Sequence, residues 1–318
     1  MSTRAERGRR VSAAIKPILV TGSHRSGTTW AGRVLAFSPT PLGYIWEPFN
    51  PRHRPGTFPI RFPRYFEYLC AENGAAYAGP LADTLAFRYR PAAELRSLRS
   101  PRDAARMARD WSRFARSRRG GATALVKDPI ALFSAEWLAD TFDMRVLVTI
   151  RHPASFATSV RRRGWRHRFT DFLDQPLLMR DHLAPYEGAI RAASERQPDL
   201  LDEAILLWNV LYGSVARMQE RRPDWLYVRQ EDLAREPVAR FQELYSQLGL
   251  AWSDGVERRV LDTSGASNPA DTDKVYSIRR NSAAHVTAWK AHITAAEIDR
   301  VRRGTEPLAS RWYGDGEW

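Results

Sequence analysis

One segment constrains this chain more than any other. Ile18-Leu19-Val20 is a short apolar run, and Gly22-Ser23-His24-Arg25-Ser26-Gly27-Thr28-Thr29-Trp30 follows it. The run reads as a buried parallel strand entering a turn. Residues 30–37 read as the helix beyond, stopped by Ser38-Pro39. The spacing Gly22-x4-Gly27 between strand and helix, with a hydroxyl at Thr29, matches a phosphate loop. In such a loop successive backbone N–H groups wrap an anion and the helix offers its positive end. An ordinary strand-to-helix turn is the bland alternative, and the placement between strand and helix argues against it. One position narrows the ligand. A nucleotide-triphosphate loop carries Lys directly after its second Gly, where this chain has Thr28, and the loop's cation is Arg25 instead. An ATP-dependent kinase working with magnesium would lack its β/γ-phosphate lysine.

The rest of the chain extends the same pattern. Residues 42–46, 124–126, 145–150 (RVLVTI) and 226–228 read as strands. Helices are expected over 130–142, 153–163, 203–221 and 237–248, the last closed by Gly249. This alternation predicts an α/β fold: a single P-loop-like domain over 17–318, with a central, mostly parallel sheet of about five strands flanked by helices. Ligands of such sheets bind at the carboxyl ends of the strands. Residues 50–120 are rich in Arg, Pro and aromatics with weak periodicity; a basic helix over 101–118 stands out. This stretch is expected to be a mobile, partly helical cover on the acceptor side.

Composition sets outer limits. Of 318 residues 43% are hydrophobic and 27% charged, which excludes a disordered or collagen-like chain. The single cysteine, Cys70, excludes an intrachain disulfide and a cysteine-built zinc site, and no metal-ligand cluster is evident. The net charge is +13, and of 49 basic residues only Lys16, Lys127, Lys274 and Lys290 are lysines, so 45 are arginine. A GC-rich genome or selection for an anionic ligand explains that bias equally well. A basic nucleic-acid-binding protein is one rival reading, with Arg116, Arg118 and Arg119 close together, but no recognised nucleic-acid motif occurs. No run approaches the roughly 18 apolar residues of a membrane span. The apolar stretch after Arg10 is broken by Lys16 and Pro17, too early for a signal-peptide core. A short disordered basic arm over 1–16 and a cytoplasmic protein are expected.

Arg25-Ser26-Gly27-Thr28-Thr29-Trp30 resembles the 5′-phosphosulfate loop of sulfotransferases that use 3′-phosphoadenylyl sulfate (PAPS). The family also shows a strand ending in Arg-x-Pro with Ser eight residues after the Arg. Here that is Arg151-His152-Pro153 and Ser159, which the resemblance assigns to the 3′-phosphate. Arg161, Arg162 and Arg163 just beyond point in different directions and are expected to be mostly solvated. Arg280-Asn281-Ser282 followed by Trp289-Lys290 resembles a loop closing over the nucleotide, with Arg280 as the matching 3′-phosphate residue. Gln230-Glu231-Asp232-Leu233 and Pro237 resemble another family stretch, in which Asp232 reads as a turn or cap residue.

The resemblance implies transfer of a sulfuryl group from PAPS, without a metal, to a hydroxyl of a carbohydrate, glycolipid or natural product. It is closest to bacterial and carbohydrate-type members, and neither nucleic acid nor a membrane span is implied. Such a transfer needs a base at the acceptor and a cation at the leaving oxygen. Phenol and steroid sulfotransferases place Lys-Thr-His after the second main strand; this chain has Lys127-Asp128-Pro129, with the lysine kept and the histidine absent. Carbohydrate-type members instead use a carboxylate after the first helix, often in Glu-Pro, and Trp46-Glu47-Pro48-Phe49 stands there. Glu47 is therefore the expected base, with Asp128 the alternative. Arg25 and Lys127 are the expected catalytic cations. His24 reads as a spacing residue, and His53 is left open.

Overall fold

A computed structural model describes residues 15–269 and 278–318. Five strands form one fully parallel sheet: β1 (Ile18–Gly22), β2 (Leu42–Trp46), β3 (Thr123–Lys127), β4 (Arg145–Ile150) and β5 (Leu226–Arg229), in the spatial order β2-β3-β1-β4-β5. Both faces are covered, so each central strand carries a continuous apolar run rather than an alternating one. Leu19, Val126, Val146 and Val148 belong to the core on one face; Ile18, Val20, Leu125 and Leu147 belong to the core on the other.

Five helices matter to the site: α1 (Thr28–Leu35), α2 (Pro101–Arg119), α3 (Pro153–Arg161), α4 (Leu200–Arg221) and α5 (Pro237–Leu248). Their ends follow local chemistry. Ser100 caps α2 by accepting from Asp103 N, and Pro101 fills the first helical position. Asp199 caps α4 by accepting from Leu201 N and Asp202 N, both at 2.9 Å. Gly249, at φ +70°, ends α5 in the left-handed conformation that favours glycine. Helices α3 and α4 pack together on one face of the sheet; α1 and α5 lie on the other, where Tyr245 Oη donates to Val34 O at 2.6 Å.

From β1 the chain moves to β2 on one side, then returns through β3 and crosses to β4 and β5 on the other. Chain direction across the sheet therefore diverges at β1, and a crevice opens beyond the carboxyl ends of β1 and β4. Gly22, Lys127 and Ile150 end the strands that border it.

Two expected elements differ. Residues 130–142 are not one helix: a 3-10 segment, Pro129–Ser134, precedes an α-helix, Ala135–Phe142. All six residues of the 3-10 segment are buried, and Asp128 caps its start through Ile130 N at 2.9 Å. Residues 50–120 hold three helices, Ala75–Leu85, Pro91–Leu95 and α2. Their weak periodicity has a cause. Part of the segment is held by stacked rings, Phe49 on Phe62 at 4.5 Å and Phe62 on Tyr77 at 5.3 Å, which follow no fixed period along the chain. The basic arm expected over 1–16 lies almost wholly outside the described residues. Among those, no helix is long and apolar enough to cross a membrane.

Candidate active site

The loop after β1 is set by backbone geometry. Gly22 has φ +141° and Gly27 φ +88°, and Arg25 itself sits at φ +67°. A side chain at Gly22 would run into the Thr149 carbonyl of the neighbouring strand. Ser26 pins the loop, donating to Ser23 O at 2.5 Å and lying 2.6 Å from Thr149 Oγ1. Thr28 and Thr29 then open α1, whose first turn carries no acidic residue, so its free N–H groups and positive end stay available to an anion. Trp30 is tied by its indole N–H to Thr263 Oγ1 at 3.1 Å.

The second expected anchor lies beside the first. Arg151 leaves β4 and its Nη1 donates to the main-chain carbonyl of Arg25. Its Nε and Nη2 donate to Ser155 Oγ at 3.0 and 2.8 Å. Ser159, one turn farther along α3, accepts instead from Arg25 Nε at 3.0 Å. The two motifs are thus cross-braced, Arg151 on the loop backbone and the loop arginine on Ser159. They border a small cavity of about 260 Å³ that Arg162, Arg163 and Arg280 also line. Arg162, which is exposed, and the half-buried Arg163 border this cavity, while Arg161 turns away to pair with Glu297 at 2.5 Å. Arg280 is fixed by its own N–H on Thr263 O at 2.9 Å and lies 3.0 Å from His285 Nε2. Asn281 caps the helix that follows, Ser282–Thr287.

A larger cleft of about 1120 Å³ joins the loop to the 50–120 segment, and Glu47 is on its wall. Glu47 adopts φ +40°, an unfavourable conformation for a residue with a side chain. Lys127 Nζ donates to Glu47 Oε1, and Asn50 Nδ2 donates to Oε2 at 2.8 Å. The ammonium also sits 3.6 Å from the centre of the Trp46 ring. Lys127 is 0% exposed, and burial pulls its pKa below the ordinary lysine value against the opposing pull of Glu47.

The alternative carboxylate is placed differently. Asp128 is also fully buried, and both oxygens are taken by the main chain: Phe49 N at 2.6 Å and Ile130 N at 2.9 Å. Burial and the nearby Glu47 charge push its pKa up to about 7. It does not line the cleft. His24 does, but burial and Arg25 push it down to about 4, and Phe156 meets its ring edge-on at 5.2 Å. His53 is held between two carbonyls, Asn50 O and Phe58 O, both at 2.7 Å. Among the described residues no group of His, Cys, Asp and Glu is placed to hold a metal.

Residues 17–254 match the profile described as the sulfotransferase family. The chain belongs to that family. Among curated relatives, carbohydrate sulfotransferase 2 of Mus musculus is 27% identical over 206 residues, 59% of this chain and 36% of that protein. Carbohydrate sulfotransferase 1 of Danio rerio is 32% identical over 83 residues, 24% of this chain and 20% of that one. The chain therefore spans between a fifth and little more than a third of these relatives' length. The sulfotransferase domain of the Synechococcus PCC 7002 olefin synthase is 15% identical, covers 95% of this chain and 97% of that one, and superposes with a TM-score of 0.48. A mouse sulfotransferase complexed with PAP is 12% identical, with 92% and 84% covered and a TM-score of 0.41.

Several residues of the candidate site escape a reading of the sequence. Ser155 is the hydroxyl that Arg151 meets, and nothing in spacing separates it from a helix filler. Tyr212, inside α4, places its hydroxyl 2.7 Å from Ser23 Oγ and accepts from Arg151 N at 3.0 Å. Trp208 donates to Arg151 O at 2.9 Å. Asp232 is not a cap: it lies in the first turn of the helix Gln230–Arg235 and pairs with Arg229 and Arg235. Its neighbour Glu231 is the buried carboxylate, accepting from His152 N at 3.0 Å and Tyr313 Oη at 2.9 Å.

Proposed function

We propose that this sulfotransferase moves the sulfuryl group of PAPS to a hydroxyl of a carbohydrate, glycolipid or natural-product acceptor. The observation that carries the reading is the Arg151 guanidinium on the Arg25 carbonyl. It sets a second cationic cavity against the phosphate loop, which suits a nucleotide phosphorylated at both 5′ and 3′ positions. A nucleoside triphosphate has no group for that cavity.

The roles follow from position. The N–H groups of Gly27, Thr28 and Thr29, with the threonine hydroxyls, hold the 5′-phosphosulfate. Arg151, Ser159 and Arg280 hold the 3′-phosphate. Bound PAPS supplies an activated sulfuryl group and leaves as adenosine 3′,5′-bisphosphate (PAP). Glu47 accepts the proton of the acceptor hydroxyl as its oxygen bonds to sulfur. Arg25 faces the charge that collects on the bridging oxygen as the sulfur–oxygen bond breaks. Lys127 is enclosed behind Glu47, so it acts through that carboxylate and positions it.

Calorimetric titration tests the reading. PAP should bind far more tightly than AMP or ATP, and Arg151→Ala should erase its advantage over AMP. Equal affinity for PAP and AMP in the unaltered protein overturns it.

A further inference from the structure

Beyond Glu47 the large cleft runs into a wall of arginines. Arg106, Arg109 and Arg113 lie at i, i+3 and i+7 on one face of α2 and line it. Arg52 and Arg54 enter from the turn after β2, and Arg33 from α1. The counter-charges are too few. Asp110 serves three guanidiniums at once, Arg113 at 3.3 Å, Arg54 at 3.6 Å and Arg109 at 3.7 Å. Asp103 is shared by Arg106 at 3.7 Å and Arg54 at 3.8 Å. Glu94, fully buried, is taken by Arg54 at 2.8 Å. Arg52 and Arg33 make no ion pair among the described residues. Arg33 lies over the rings of Tyr44 and Trp46, at 4.8 and 5.7 Å.

Six guanidiniums thus face three carboxylates. Arg113 registers the crowding: burial, with Arg33 and Arg109 beside it, draws its pKa below the ordinary arginine value despite Asp110. The wall is also close to the expected chemistry. Arg33 and the Lys127 ammonium both lie near the Trp46 ring, at 5.7 and 3.6 Å from its centre, and Lys127 holds Glu47.

We propose that the acceptor carries, besides its reacting hydroxyl, an anionic oxyacid group held by Arg52, Arg109 and Arg113. Phosphate, sulfate and carboxylate share the needed chemistry, since each offers several oxygens to guanidinium forks. The proposal rests on the sulfotransferase reading of the preceding section. In that reading the nucleotide takes the loop and the small cavity, which leaves the α2 wall to the acceptor.

The test uses protein saturated with PAP and a matched set of probes: N-acetylglucosamine, its 6-phosphate, its 6-sulfate and glucuronic acid. Binding is followed by calorimetry and transfer by labelled PAPS. At least one anionic probe should bind about tenfold more tightly than N-acetylglucosamine, the scale of one charge-assisted hydrogen bond. The ester probes and the uronic acid separate a tetrahedral from a planar anion. The double variant Arg52→Gln, Arg109→Gln should lose that advantage while PAP affinity stays unchanged; both side chains are exposed, so the fold should hold. Equal affinity for neutral and anionic probes overturns the proposal. So does a lack of binding by every anionic probe, or an advantage that survives in the double variant. Failure to bind PAP in the first step overturns the PAPS reading itself, and this proposal with it.

Discussion

Lys127 and Glu47 form an enclosed ion pair at the carboxyl ends of β3 and β2, and Asn50 holds the carboxylate oxygen that Lys127 leaves. The pair fixes an acidic side chain on the wall of the cleft that the phosphate loop also lines. A carboxylate held by two donors keeps its geometry, which a general base needs if it is to meet a hydroxyl without reorganising.

Replacing Glu47 by Gln keeps the size and leaves an oxygen for Lys127, but removes the proton acceptor. Turnover should fall by about 10²-fold or more, with PAP affinity nearly unchanged. The buried ammonium then faces a neutral amide, so some loss of stability is also expected. Single-turnover rates should therefore be measured below the variant's own melting temperature. A variant with normal turnover removes Glu47 from the chemistry.

Asp128→Asn is the paired control. Its two oxygens accept from Phe49 N and Ile130 N. An asparagine can satisfy only one of these donors, because its amide NH₂ meets the other N–H. The expected loss is about 1–3 kcal/mol of stability, the usual scale of an orphaned buried group. The folded protein should turn over nearly as before. Urea midpoints and rates on the same sample separate the two effects. Abolished turnover at unchanged stability would make Asp128 the base.

How far the sequence discloses this arrangement depends on how local each feature is. The loop, β4 with Arg151, and α5 with its Gly249 stop are legible because strand runs, glycine positions and caps act over a few neighbouring residues. The Glu47–Lys127 pair joins residues on different strands. Motif position points to each of them separately, but their contact depends on β2 lying next to β3, a pairing that chain order does not reveal. Tyr212 and Ser155 are less legible still. Each sits in an ordinary helical stretch, and only tertiary packing turns its hydroxyl toward Arg151. The aromatic cover is illegible for another reason: ring stacking has no fixed period along a chain.

His152 should make the protein's stability depend on pH. It follows Arg151 and stacks on Trp289 at 5.1 Å, with Tyr313 and Trp318 around it. Burial pushes its pKa down to about 3. A depressed histidine contributes stability that is complete above its unfolded value, about 6.5, and is lost as pH falls toward the folded value. The loss is at most about 1.4 kcal/mol per pH unit. His152→Phe keeps the stacking and removes the titration. Its urea midpoint should therefore fall less steeply than that of the unaltered protein between pH 6.5 and 4. Parallel curves would show that His152 does not supply this dependence.

Arg25 joins three parts of the site, and its substitution should separate them. Its carbonyl receives Arg151, its Nε reaches Ser159, and its backbone holds φ +67°. The loop N–H groups can bind a phosphate without this side chain, so binding should survive its loss better than catalysis. Charge on the bridging oxygen grows only as the bond to sulfur breaks, and an interaction confined to the transition state appears in turnover. Arg25→Ala should lower single-turnover rates at saturating PAPS by about 10²–10³-fold, the scale of one lost oxyanion donor. PAP affinity should weaken less, through the freed Ser159. Alanine also retains a Cβ at a positive φ, which costs on the order of 1–2 kcal/mol. Arg25→Gly removes that strain, so a rate loss common to both variants belongs to the guanidinium. Arg25→Lys should recover part of the rate as a point charge. If both variants bind PAP poorly yet react normally once saturated, Arg25 is a binding residue alone. The charge on the leaving oxygen must then be met by the loop N–H groups of Gly27 and Thr28.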